Sequence, residues 1–219
     1  VGDSVLEIGC GWGGFAEEAV RAGARVVGIT LSREQLAYAK ARAARWEGQP
    51  GSARFELRDY RDVTGTFDHI VSIEMLEAVG ERYWPLYFRR LRELLKAGGS
   101  AVIQVITIDD ALFGRYRRQT DFIQRYIFPG GMLPSRPAFA AKACNAGLDL
   151  AEAFAFGADY ARTLAHWRER FERRSAALAE AGFGEEFQRL WRFYLAYCEA
   201  GFRAGSIDVH QFVVRRPVR

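Results

Sequence analysis

One feature limits this chain more than any other: an apolar strand that runs directly into a glycine-rich turn and then into a helix. Val5-Leu6-Glu7-Ile8 is followed at once by Gly9-Cys10-Gly11-Trp12-Gly13-Gly14, and Phe15 to Ala22 carries a helical pattern that stops at Gly23. Glycines let a ligand approach the backbone closely, and the start of the helix offers N–H groups that the helix does not use itself. The spacing is Gly9-x-Gly11-x-Gly13 with no phosphate-binding lysine after it, which disfavours a P-loop. A plain tight turn is the competing reading at this stage. The pattern that follows argues against it. Arg25 to Ile29, Ala53 to Arg58, Phe67 to Ile73 and Ser100 to Ile108 read as strands. Ser32 caps a helix that continues to about Trp46, and a second helix runs from about Arg82 to Leu95, with Gly98-Gly99 expected to close it. Strands alternating with helices at this spacing predict an α/β fold, a mostly parallel sheet with helices on both faces, with its ligand beyond the carboxyl ends of the strands.

Composition narrows the classes. The chain has 219 residues, of which 49% are hydrophobic and 26% charged, so it is neither disordered nor fibrous and is long enough to bury a core without disulfides or metals. Cys10, Cys144 and Cys198 are odd in number and widely spaced, which predicts no disulfide framework, no metal site and a reducing cytoplasm. The net charge of +4 does not call for a nucleic-acid partner, though it permits attraction to anionic headgroups. A start at Val1, without methionine and almost at a strand, suggests a fragment or a processed chain.

Beyond residue 108 the alternation stops. Asp109 to Ser135 reads as an irregular segment dense in arginine and aromatic residues. Arg136 to Ala146 reads as a helix and Leu148 to Phe156 as a strand. Tyr160 to Ala181 and Glu185 to Ala204 read as long amphipathic helices, and Ile207 to Val214 as a last strand, antiparallel to the fifth. The expectation is a single domain over 1–219, a sheet bearing a helical cover at about 109–204. Those aromatics suit an acyl pocket or an ordinary core equally well. Arg115, Arg117, Arg118 and Arg125 suit a membrane-facing surface or a solvated one.

Several uncommon strings occur in order along the whole chain. They are the Glu7 to Gly13 turn, Gly28-Ile29-Thr30-Leu31-Ser32, Asp59-Tyr60-Arg61-Asp62, Phe67 to Ile73, Met75-Leu76-Glu77, Tyr126-Ile127-Phe128-Pro129-Gly130-Gly131-Met132-Leu133-Pro134-Ser135 and Phe156-Gly157-Ala158-Asp159-Tyr160. Together they resemble the cyclopropane-fatty-acyl-phospholipid synthase and mycolic acid cyclopropane synthase family of S-adenosylmethionine (SAM)-dependent methyltransferases. The resemblance implies the Rossmann-like class I methyltransferase sheet with a helical lipid-binding cover. It implies transfer of a methyl from SAM to the cis double bond of an unsaturated acyl lipid, followed by ring closure. It implies a bound bicarbonate that takes the proton and peripheral contact of a cytoplasmic enzyme with the membrane, and it leaves homo-oligomerisation open. The implied cofactor residues are Glu7, Gly9, Gly11, Gly13, Thr30, Leu31, Ser32, Gln35, Asp59, Tyr60, Ile73 and Glu74. The implied bicarbonate residues are Glu77, Tyr160 and the backbone near Ile106, with Gln104 beside them. From the residues alone, Ser32 is equally a helix cap, Glu77 a helix-start charge and Tyr160 a buried core tyrosine.

The chain departs from that pattern in places. Ala78 follows Glu77 where the family has histidine, Gln104 stands where the family has histidine, and Glu74 stands where glycine is common. Gln104 donates and accepts hydrogen bonds but cannot become cationic. The family's N-terminal helical segment is expected to be missing. These departures keep a methyl- or methylene-branched product in play beside the ring. Two other classes compete: a SAM methyltransferase for a small metabolite, and a non-enzymatic SAM- or lipid-binding module.

Overall fold

Every apolar run expected to be a strand is one in the computed structural model, which describes residues 2–218; Val1 and Arg219 lie outside the described residues. The elements, in order, are β1 Ser4–Ile8, α1 Gly14–Arg21, β2 Arg25–Thr30, α2 Arg33–Ala43, β3 Ser52–Leu57, β4 Phe67–Ile73, α3 Leu76–Val79, α4 Trp84–Leu94 and β5 Leu95–Ile108. They continue with α5 Asp110–Tyr116, α6 Phe122–Tyr126, α7 Arg136–Asn145, β6 Asp149–Ala155, α8 Gly157–Arg173, α9 Ser175–Glu180, α10 Glu185–Arg203 and β7 Ile207–Arg215. Two compact units share them. The first holds 1–105, 137–154 and 211–219; the second holds 106–136 and 155–210.

The first unit is built on the sheet, whose strands lie in the order β3-β2-β1-β4-β5-β7-β6. Its first five strands pair in parallel. β7 runs against β5: Gly98 N–H donates to the Arg216 carbonyl, and Arg216 N–H donates to that of Gly99, both at 2.9 Å. Chain order moves outward from β1 through β2 to β3, then returns to β4 on the other side of β1. Right-handed crossovers therefore put α1 and α2 on one face and α4 on the other. Ala16 and Val20 of α1 and Ala39 of α2 pack with Val5, Val26, Phe55 and Val71 of the strands. On the opposite face Phe88 of α4 meets Phe139 of α7 at 5.0 Å, and Phe139 stacks on Phe212 of β7 at 4.0 Å. All three rings are fully buried, each stabilising the fold by roughly 1.5–3 kcal/mol. The reversal of strand order between β1 and β4 makes a switch point, where α/β sheets bind ligands.

In the second unit α8 and α10 pack antiparallel. Tyr160 lies against Phe202, while further along Arg168 pairs with Glu199 and Arg192 with Glu172. Ala161, Leu164, Leu195, Phe202 and Val209 form its buried cluster.

Some expectations need correction. Gly98-Gly99 does not close a helix. α4 ends at Leu94, and both glycines belong to β5, held by Arg216. The pairing of β4 with β5 shifts register between Phe67 and His69, so the glycine pair takes up an irregularity in the strand. The helix from Ser32 ends at Ala43, and Trp46 turns into the core against Phe55 at 6.2 Å. The stretch 109–135 is not wholly irregular. Asp109 caps α5, and Asp121 with Gln124 forms a capping box for α6. The helix expected over 160–181 begins at Gly157 and breaks at Arg174.

Candidate functional site

The site is built at the β1/β4 switch point, within the first unit. β1 delivers Glu7 and then turns through Gly9, Gly11 and Gly13, with φ of 79°, 51° and 81°. L-residues rarely adopt such angles, so glycine is needed for the turn itself. Gly9 and Cys10 both donate to the Ile29 carbonyl at the end of β2, which pins the turn to the neighbouring strand. Close packing adds to the demand. A Cβ on Gly9 would sit 3.2 Å from Met75 Cγ, and one on Gly13 would sit 3.4 Å from Ala39. Beneath the turn Glu7 is only 3% exposed, and its Oε2 has no hydrogen-bond partner among the described residues. Burial pushes its carboxyl up to about 8. A buried, uncompensated acid under an open glycine cradle is complementary to a cationic ligand group. Around it, Trp12 (52% exposed), Leu31 (72%) and Ile73 (40%) stand at the carboxyl ends of β1, β2 and β4. Trp12 meets Tyr38 of α2 edge-on at 5.3 Å. Large apolar side chains exposed on three adjacent strand ends suit the flat apolar part of a ligand. SAM, with an ammonium group, a carboxylate and an adenosine, matches these features.

The other residues expected at the cofactor are ordered largely by one another. Thr30 Oγ1 donates to Gln35 Oε1 at 2.7 Å. Ser32 Oγ accepts from Gln35 N–H as the cap of α2 and donates to Glu34 Oε2. The structure thus gives Ser32 its capping role. It also brings to this strand end an acid that sequence reasoning missed, because Glu34 lies one residue inside the helix. Asp59 accepts the backbone N–H of Arg61 and the Nε and Nη2 of its guanidinium, and this contact lowers its carboxyl below the usual carboxylate range. Tyr60 packs edge-on to Tyr87 at 5.7 Å.

Glu74 lies one residue beyond β4, at φ 51°. Its N–H donates to the Gln104 carbonyl at 2.8 Å, and its Oε1 accepts from Gln104 Nε2 at 2.8 Å. Gln104 Oε1 in turn accepts from Gln211 Nε2 at 3.0 Å. Gln211 was not foreseen, since only the antiparallel placement of β7 brings it beside β5. Glu77 lies in the first turn of the short helix α3, in the same unit as Gln104. Ile106 and Tyr160 belong to the second unit and pack against the same buried cluster there. Tyr160 is on the first turn of α8, whose start is fixed by Asp208: its Oδ1 accepts the Gly157 N–H at 2.8 Å. Among the described residues no group of three His, Cys, Asp or Glu side chains is placed to hold a metal ion, and no helix is long and apolar enough to cross a membrane.

A family model described as mycolic acid cyclopropane synthetase matches residues 1–212. This chain belongs to that family. A curated relative, the tuberculostearic acid methyltransferase UfaA1 of Mycobacterium tuberculosis, is 45% identical over 98% of this chain and 50% of its own length. The cyclopropane-fatty-acyl-phospholipid synthase of Escherichia coli is 36% identical over 99% of this chain and 54% of its own. The chain therefore spans about half the length of the curated relatives it matches. Among solved structures, the mycolic acid cyclopropane synthase CmaA1, complexed with SAH and CTAB, superposes with a TM-score of 0.89 at 30% identity, covering 98% of this chain and 78% of that one. The Rossmann-like sheet of the cyclopropane synthetase family, with helices on both faces, is thus the fold of this chain.

Proposed function

We propose that this chain carries the methyl-transfer core of a SAM-dependent enzyme that alkylates the cis double bond of an unsaturated acyl chain in a phospholipid. The observation that carries the reading is the buried acid Glu7 beneath the Gly9–Gly13 turn, at the switch point of a sheet belonging to this family. SAM would supply an electrophilic methyl group. Glu7 would face its ammonium group and the turn its carboxylate. Thr30, Leu31, Ser32 and Gln35 would hold the ribose, Asp59 and Tyr60 would flank the adenine, and Ile73 and Glu74 would line the rim. An alkene is a weak nucleophile, so these residues must fix the donor while the apolar surroundings exclude water. On this reading a bicarbonate, with Glu77 among its contacts, would remove the proton. The relatives named for acyl-lipid chemistry, and the structure bound to the long-chain cation CTAB, support a lipid substrate.

Ring closure is the product that the resemblance implies. One observation favours a second outcome, an open methylene- or methyl-branched chain. The Gln104 amide, where the family has a histidine, is engaged by Glu74 and Gln211. The relative UfaA1 is itself named for tuberculostearic acid. Contact with an anionic membrane from the cytoplasmic side would run through Arg115, Arg117, Arg118 and Arg125, all exposed, with Tyr126 and Phe128 exposed beside them.

The test is to incubate the full-length protein with vesicles of oleoyl phospholipid and methyl-labelled SAM. Label in the acyl chains is the expected result. Label found only on small amines, with none in the lipid extract, overturns the assignment.

A further inference from the structure

Glu74 is the one residue other than glycine, among those described, with a left-handed backbone. Such strain persists where the surroundings over-determine it, and it clusters at functional sites. Here the surroundings are specific. The backbone and the carboxylate of Glu74 are both bound to Gln104, and Gln104 is held by Gln211. Two amides on neighbouring strands therefore aim one carboxylate. Packing does not account for the side chain: Glu74 is half-buried, and glycine would make the same turn without strain. The place is the switch point itself. β4 pairs with β1 so that Ile8 lies beside Ser72, and Met75 lies against Gly9 of the ligand turn. A glutamine amide donates without ionising, so Gln104 orients the carboxylate and leaves its other oxygen an acceptor.

We propose that Glu74 is a second carboxylate of the methyl-transfer site, acting as the proton acceptor that releases an open-chain product; this rests on the lipid-methylation reading above. The alkene π pair forms a bond to the donor methyl as the carbon–sulfur bond breaks. A hydride then shifts from the methyl-bearing carbon to its cationic neighbour, which moves the positive charge onto the methyl-bearing carbon. Glu74 takes a proton from the new methyl, and the released C–H pair becomes an exocyclic C=CH2. The products are a methylene-branched chain, the demethylated donor and one proton on Glu74. Gln104 and Gln211 are positioning residues for that step.

The experiment compares full-length wild type with Glu74→Gln and Glu74→Gly, using oleoyl phospholipid vesicles and labelled SAM, in bicarbonate-free and bicarbonate-supplemented buffer. Chromatography with mass spectrometry separates ring from methylene product. Wild type is expected to give exocyclic methylene without added bicarbonate. Both variants are expected to lose at least about tenfold of that product while still binding SAM, and Glu74→Gly should melt about 2–4 °C higher as its backbone relaxes. Gln104→Ala is expected to lower kcat for methylene formation while leaving KM for SAM unchanged. Wild type that labels no lipid defeats the methylation reading, and this inference with it. Wild type that labels lipid only as a ring, variants with an unchanged product ratio, or variants that lose SAM binding together with transfer each overturn the role of Glu74 while leaving that reading in place.

Discussion

Glu7 ties stability and ligand affinity to pH through one carboxyl. The folded chain keeps its proton up to about 8, whereas the unfolded chain releases it near the ordinary carboxylate value of 4.5. Between those values the folded state binds more protons, so stability must fall as pH rises, and it levels off above 8. The loss is on the order of a few kcal/mol. Urea denaturation at pH 5 and pH 8 should show it in the wild type, and Glu7→Gln should flatten the difference. A cationic ligand group favours the ionised form, so SAM affinity should increase from pH 6 toward 8, by at most about tenfold per pH unit; titration calorimetry in buffers of different ionisation enthalpy should detect the released proton. The Glu7–Gly13 glycine turn, with its acid on the strand before it, was readable from residue types and spacing. The mutual hydrogen bonds of Thr30, Ser32 and Gln35 were not, because they depend on side-chain rotamers at a helix start.

At the scale of elements, the start of α8 is sensitive to single changes. A Cβ on Gly157 would lie 2.4 Å from Asp208 Oδ1, the atom that accepts the Gly157 N–H. Asp208→Ala should cost about 0.5–2 kcal/mol by loss of the cap, and Gly157→Ala about 1–3 kcal/mol by the clash. Chemical denaturation of the single and double variants should show less than the sum, because both remove one interaction. Neither should change SAM affinity, since both residues belong to the second unit. The strands were legible in the sequence, as runs of β-branched and apolar residues bounded by turns. Helix ends were less so. Just past the break of α8 at Arg174, the Gln188 side-chain amide donates to the Ser175 and Phe183 carbonyls, a contact that spans 13 residues to the first of them. Gly98-Gly99 carries a helix-stop signal, yet Arg216, more than a hundred residues away in the chain, recruits it into a strand.

For the whole molecule, charge and apolar surface are segregated along the chain. Between 115 and 125 stand four arginines and a single acid, Asp121. Nearby Phe122 meets Phe193 at 4.6 Å and Tyr197 at 5.8 Å, while Tyr126, Phe128, Phe193 and Tyr197 remain exposed. Replacing Arg115, Arg117, Arg118 and Arg125 by glutamine should weaken binding to anionic vesicles in a flotation assay, at about 1 kcal/mol per arginine at low salt. The difference should shrink as salt rises, because screening acts on surface charge. Vesicle binding that is the same for both proteins at low salt would remove this surface from the lipid contact.

By itself the sequence determined the alternation of strands and helices, the glycine turn with its acid, and the family. All three rest on local physics, namely residue period, backbone permissiveness and uncommon strings. Only the tertiary structure decided that Glu7 Oε2 is buried with no hydrogen-bond partner among the described residues, that Glu74 sits strained beside the glycine turn, and that Gln104 is held between Glu74 and Gln211. These depend on which strand lies next to which, and strand order is set by the global burial of apolar faces rather than by any neighbour in sequence.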